Sequence, residues 1–182
     1  MVEASIDVID RGGFECDLNY LIEGNTLGSL SNKDPTVDFE WNAVYNLVID
    51  HPEGTILWDT GIHHEAADGH WPEDLYEAYV AREAADHRLD QDLARVGYDL
   101  EDIDYVFQTH LHSDHAGGLE FFAGTDTPVF VHEEELKWAL FSAKSDAGNA
   151  GYLEQDFDHD LNWQVIRGER VEYFKDVQFI HL

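Results

Sequence analysis

The run Thr109-His110-Leu111-His112-Ser113-Asp114-His115-Ala116-Gly117-Gly118 gathers three imidazoles and a carboxylate into one short stretch. In an extended segment alternate side chains share a face, so His110, His112 and Asp114 are expected to converge, and a turn then brings His115 alongside. Nitrogen and carboxylate oxygen donors in this combination suit zinc, iron or manganese, and metal ligation is the role expected of all four residues. The opposing reading is a loop of solvent-facing histidines. It explains neither the strand pattern before the run nor the paired glycines after it, which free the backbone to turn away.

The elements around the run are strands first and last with helices between. Ser5–Ile9, Leu18–Ile22, Val44–Ile49 and Thr55–Trp58 alternate or run apolar as strands do, and His51-Pro52-Glu53-Gly54 has the composition of a tight turn. Between the second and third strands, Gly24–Glu40 reads as a long polar loop that sits over a site. Pro72–Val96 is rich in helix formers and predicts one or two helices stopped by Gly97, after which the strand Ile103–Phe107 points at His110. A short helix at Leu119–Phe122, a strand at Val129–Val131, a helix from Glu133 to about Lys144 and terminal strands at Gln164–Ile166, Arg170–Phe174 and Val177–Ile180 complete the reading. This order predicts an α/β layered fold. Because His181-Leu182 follows directly on an apolar strand, the sheet or core to which that strand belongs is expected to be incomplete.

With 182 residues, 43% of them hydrophobic, the chain can bury one core, and a single domain over residues 1–182 is expected. Five Trp, eight Tyr and ten Phe argue against disorder. The charge is extreme: 39 acidic against 10 basic residues, net −29, spread along the whole chain. Such a surface repels nucleic acid and anionic membranes, so neither is expected as a partner. It also suits a salt-rich cytoplasm, where screening shortens the repulsion that otherwise destabilises a compact state, and this halophilic reading is preferred. The single Cys16 has no partner for an internal disulfide and reads as a small buried residue. Neither a basic N-terminal segment leading into an apolar run nor a membrane-length apolar stretch occurs, and a cytoplasmic location is expected.

The run matches the His-x-His-x-Asp-His motif of the metallo-β-lactamase superfamily, and Asp59-Thr60-Gly61 resembles that family's Asp-Thr-Gly after an early strand. The resemblance implies an αββα sandwich, of which this chain carries the N-terminal αβ half and part of the second sheet. It implies two divalent metal ions, zinc with iron or manganese as alternatives, one held by His110 and His112 and the other by Asp114 and His115. Asp59 would orient a ligand histidine; the plainer reading of Asp59 is a turn residue at a strand end. Paired ions can bridge a hydroxide near neutral pH and polarise a carbonyl, so hydrolysis of an acyl bond is implied, with Asp114 as the catalytic group exchanging a proton with the leaving group. Related diiron redox proteins carry Glu where this chain has His112, which turns the reading away from oxygen or nitric oxide reduction.

Within the superfamily the chain most resembles the N-acyl homoserine lactonases, from about Asn42 to Leu182. The long gap from Asp59 to His110 and the stretches Arg95–Tyr98 and Leu161–Glu169 carry that likeness. The family's third metal-one histidine after a Pro-Gly turn, its bridging aspartate, its last histidine and its substrate-side tyrosine have no counterpart here, and His181 would neighbour the first of them. The substrate implied is a lactone such as an N-acyl homoserine lactone, or a related ester, and a homodimer is the assembly carried. A hydroxyacylglutathione-type thioesterase shares the metal motif, and a non-catalytic fragment needing a C-terminal partner segment stands as a third reading. His63, His64 and His70 form no complete ligand spacing, so packing or solvation outweighs a place at the pocket rim, where Trp71 and Tyr76 would offer apolar contact. His51, His87, His132 and His159 read as surface, and Glu133-Glu134-Glu135 as the opening turn of a helix. The halophilic reading predicts a thermal midpoint that rises between dilute buffer and molar KCl; an unchanged midpoint in calorimetry would contradict it.

Overall fold

The structure is a computed structural model that describes residues 3–145, 147–149, 151–174 and 177–180. Strand β1 (Ser5–Asp17) pairs antiparallel with β2 (Phe39–His51), with a bulge between Asp10 and Gly13. A hairpin leads from β2 into β3 (Gly54–Trp58), and from there the sheet is extended by parallel neighbours. Helix α1 (Glu73–Ala78), strand β4 (Tyr79–Arg82) and helix α2 (Leu89–Arg95) precede β5 (Tyr105–Phe107). Strand β6 (Pro128–His132), helices α3 (Glu133–Ala143) and α4 (Glu154–Phe157), and strand β7 (Asn162–Ile166) follow. The seven-stranded sheet runs β4-β1-β2-β3-β5-β6-β7, and β8 (Arg170–Phe174) pairs with β9 (Val177–Ile180) as a separate hairpin. The α/β expectation therefore holds.

Burial follows the pleat. In β2, Val44, Asn46 and Val48 alternate inward, whereas the central β3 buries both Ile56 and Leu57, as a strand covered on two faces must. On the helical side Ile9, Val48, Leu57, Val106, Val129 and Val131 meet Leu89, Leu93, Leu119, Phe122, Ala139 and Phe157 in one core. Leu89 and Leu93 are four apart, so both fall on the face of α2 that meets the sheet. The opposite face carries Ile56, Phe107, Phe130 and Ile166 at its centre, while Val8, Tyr45 and Trp58 on the same side remain exposed. An αββα sandwich lays its second sheet on such a face.

Several boundaries depart from expectation. Leu18–Ile22 is not a strand: the chain breaks into a 3-10 turn at Leu18–Tyr20, because the Asp17 carboxylate accepts the Asn19 amide at 2.9 Å and offers the backbone a cap in place of a ladder partner. Strands β1 and β2 run longer than their apolar cores suggest. Strand β4 interrupts the expected helical stretch, pairing Gly13 with Arg82 through Cys16 with Tyr79 at the sheet edge. The segment Leu119–Phe122 is a 3-10 turn, and α4 carries no periodic signal that four residues could show. Cys16 is fully buried as anticipated. His181 lies outside the described residues. No helix among the described residues is long and apolar enough to cross a membrane. Leu57 is fully buried in the helical-side core, and Leu57→Ala is expected to lower unfolding free energy by about 2–5 kcal/mol in urea titrations.

Candidate metal centre

The metal-type run leaves the carboxyl end of β5, the edge at which α/β sheets place their sites. Leu111 plugs the loop into the core with no exposure, and its amide donates to Glu135 Oε1 of α3 at 2.8 Å. Beyond it the chain does not stay extended. The amides of His115 and Ala116 both donate to the His112 carbonyl, at 2.8 and 2.9 Å, so a tight turn delivers Asp114 and His115 together. The expectation that strand alternation alone would bring in Asp114 is corrected by this turn. The His110 ring lies 4.7 Å from that of His112 and 4.0 Å from that of His115, centroid to centroid. One donor atom from each of His110, His112 and Asp114 falls within 4.8 Å of the others, and His115 Nε2 stands 3.2 Å from Asp114 Oδ2.

Asp59 organises this cluster from the end of β3. Its carboxylate accepts the Thr109 amide at 2.8 Å, the Thr109 hydroxyl at 2.8 and 3.1 Å, and His115 Nδ1 at 2.9 Å. With Nδ1 bonded to Asp59, the His115 Nε2 is the nitrogen turned toward Asp114. Asp59 adopts φ 56°, a left-handed conformation that costs an Asp about 1–3 kcal/mol. Hydrogen bonds to a charged acceptor contribute about 1.5–3 kcal/mol each, so the set offsets the strain. The next residues lock on as well. Thr60 donates through both its amide and its hydroxyl to the His115 carbonyl, at 2.8 and 2.9 Å, and the Gly117 amide donates to the Gly61 carbonyl at 2.8 Å. Gly117 must be glycine because a Cβ there would lie 2.1 Å from the His63 amide nitrogen.

Electrostatics divide the imidazoles. Burial holds His112 down to about 4 and also lowers His110, the second with help from His115, so both rings are neutral at pH 7. Burial works the same way on His115, but its bonds to Asp114 and Asp59 prevail and raise it to about 10. Burial pushes Asp114 up, yet the contact with His115 and the nearby His110 and His112 carry it below the ordinary carboxylate range. These residues fit a cation. His112 Nε2 is buried and has no hydrogen-bond partner among the described residues, and two neutral imidazoles beside an ionised carboxylate are in their ligating forms.

The cluster lines a cavity of about 620 Å³ together with the apolar Phe14, Tyr20, Leu21, Trp71, Leu75 and Tyr79, and with the polar Asp74 and Asn149. Trp71 therefore borders it, although packing was the preferred reading of that segment; Tyr76 does not line it. Three groups escaped sequence reasoning. Glu135, taken only as a helix opener, holds the Leu111 amide; Tyr152 lays its ring 4.3 Å from His112; and the Gly151 carbonyl accepts the Ser113 amide at 2.9 Å. No spacing signal links these residues to the run, since they arrive from α3 and the loop before α4. The surface reading of His51, His87, His132 and His159 is corrected, since none of the four is exposed and His159 too is half-buried. His51 is buried, its Nδ1 accepting the Glu53 amide at 3.1 Å to close the β2–β3 turn, and half-buried His132 caps α3 by accepting the Glu134 amide at 3.3 Å. His87, also half-buried, faces Asp92 at 3.4 Å. His63 is buried against the rings of His64 and His70, outside the cavity wall.

A sheet that presents a His-x-His-x-Asp-His loop at its strand ends, braced by an Asp-Thr-Gly turn, defines a metal-binding α/β domain. The chain belongs to the metallo-beta-lactamase superfamily, whose family model matches residues 40–182. It is 30% identical over 174 residues to the N-acyl homoserine lactonase AiiB of Agrobacterium fabrum, covering 90% of this chain and 61% of that one. Over 141 residues it is 33% identical to an N-acyl homoserine lactonase of a Bacillus species, covering 76% of this chain and 52% of the relative. The chain thus spans between half and two thirds of the length of these relatives. A solved N-acyl homoserine lactone hydrolase with N-hexanoyl-L-homoserine bound at its catalytic metal centre superposes with a TM-score of 0.78 at 25% identity, over 99% of this chain and 65% of that one.

A cation taken by His115 Nε2 must displace the proton held there. Metal binding at pH 7 is expected to release about one proton, since His110 and His112 are already neutral, and affinity should climb with pH until His115 deprotonates near 10. Calorimetry in two buffers of different ionisation heat measures this; zero release would contradict it, and Asp59→Asn should reduce the number.

Proposed function

We propose that the protein is a metal-dependent hydrolase that opens the ring of N-acyl lactones, the N-acyl homoserine lactones being the substrate class. The observation that carries the proposal is the mixed lining of one cavity: His110, His112, Asp114 and His115 share it with the apolar Phe14, Tyr20, Leu21, Trp71, Leu75 and Tyr79, and with Asp74 and Asn149. A molecule that suits such a lining has a polar carbonyl head on an apolar chain. The names of the relatives, lactonases at 30–33% identity, support the same class.

His110 and His112 are assigned to one divalent ion and Asp114 with His115 to a second, zinc being preferred and iron or manganese acceptable to the same donors. Divalent ions held by these residues would supply an acidified water as nucleophile and a Lewis acid for the lactone carbonyl. Asp59 keeps the His115 ring in one orientation and tautomer. Asp114 is ionised and lines the cavity, so it can take a proton from the attacking water and return it to the alkoxide as the ring opens. The apolar wall keeps the acyl chain fixed while the head reacts, which converts binding into orientation. The net charge of −29 supports placing this chemistry in a salt-rich cytoplasm.

Zinc-loaded protein is expected to hydrolyse N-hexanoyl homoserine lactone in a pH-stat assay. Asp114→Asn should lower kcat by about 10²–10⁴-fold, and Trp71→Ala should act chiefly on KM. Faster turnover of a glutathione thioester than of any lactone would replace this reading with the thioesterase one. Metal-loaded protein inert toward both would end it.

A further inference from the structure

Apart from the motif, a second group of metal-type donors stands on the far side of the Gly61–Gly117 crossing. The buried His63 places Nε2 3.2 Å from Glu120 Oε1, and His64 places Nδ1 3.7 Å from the same oxygen. One donor atom from each of the three residues falls within 4.8 Å of the others. The rings are held before any ion arrives: His63 stacks on His70 at 3.5 Å with 5° between planes, and on His64 at 4.5 Å. Behind the stack, His70 Nε2 meets Asp156 Oδ1 at 2.5 Å. Asp156 is fully buried, and its Oδ2 has no hydrogen-bond partner among the described residues.

We propose that His63, His64 and Glu120 form a second, structural site for a divalent transition-metal ion of the zinc type, separate from the catalytic cluster. Two imidazoles and one carboxylate match the donor preference of such ions and leave a position for water. His63 is neutral at neutral pH because burial and the neighbouring His70 and His64 oppose a charge on it. Its Nδ1 accepts the Glu65 amide at 3.1 Å, so the ring proton rests on Nε2 in the cation-free protein. Capture through Nε2 shifts that proton to Nδ1 and frees the Glu65 amide, with no net proton release at this ring.

Its effect is mechanical. His63 and His64 follow the Asp59–Gly61 turn, and Glu120 lies in the Leu119–Phe122 turn just after the metal run. An ion between them ties together the two segments that position Asp59 and His115.

The test reads metal, not turnover, so it stands or falls independently of the lactonase assignment. In a His110→Ala/His112→Ala/Asp114→Ala background, zinc or cobalt titration is expected to leave one equivalent bound per chain, with a raised thermal midpoint and cobalt absorption of a low-coordinate site. Adding Glu120→Gln, or separately His64→Ala, should weaken that binding by roughly tenfold or more while circular dichroism stays unchanged. Glu120 is partly exposed, so its substitution should not cost the fold. Background protein that binds no zinc, or binding that neither added substitution weakens, would overturn the proposal.

Discussion

The carboxylate of Asp59 is the point on which the site turns. It sits in a left-handed backbone conformation at the end of β3 and gathers Thr109 and His115 around itself. Thr60 and Gly61 then bond to the His115 and Gly117 backbone, so a short turn and a metal-type run fifty residues apart become one folded unit. Neither segment has regular secondary structure to hold it. The cross-bonds supply that order, and they do so where donors must be held to a fraction of an ångström to bind an ion.

A buried ion pair braces the turn from behind. Arg11, in the bulged part of β1, is almost fully buried, pairs with Asp92 of α2 and reaches the Thr60 and Ile62 carbonyls at 3.4 Å. Asp92 is also paired with Arg95 and faces His87 at 3.4 Å, so the buried carboxylate is held by basic side chains on several sides, with Arg11 as the one that reaches on to the turn. The pair thus acts as a strut of fixed position. Gly61 is glycine for the same reason: its φ is 73°, and a Cβ would come within 2.7 Å of Arg11 Nε. The run supplies His110, His112, Asp114 and His115 to the cavity lining, while β1, the loop after it and α1 supply Phe14, Tyr20, Leu21 and Leu75, with Asp74 of α1 among them.

Charge has opposite meanings at the surface and at the centre. Outside, 39 acidic residues against 10 basic ones leave an excess of like charge, the kind of repulsion that dissolved ions screen. Inside, Asp59 and Asp114 face one imidazole from two sides and hold a proton on it, with the positive charge placed where a cation would sit. Two carboxylates so close are tolerable only because something cationic lies between them. The same geometry therefore explains the raised His115 and the fit to a metal ion.

The convergence of His110, His112, Asp114 and His115 was legible in the amino-acid sequence, because short spacing confines them to one loop whatever the rest of the chain does, whereas Asp59, fifty residues earlier, was reached only through the resemblance of Asp59-Thr60-Gly61 to a family motif. The central strands were legible too, since a strand buried on both faces must be apolar throughout. Leu18–Ile22 was misread, as its apolar pattern was outweighed by a local cap from Asp17, and β4 was hidden because edge pairing with β1 depends on a distant segment. Glu135, Tyr152, Arg11 and the convergence of His63 and His64 on Glu120 were decided only by tertiary structure. Their partners lie far along the chain, and nothing local distinguishes a glutamate that caps a helix from one that also holds a loop.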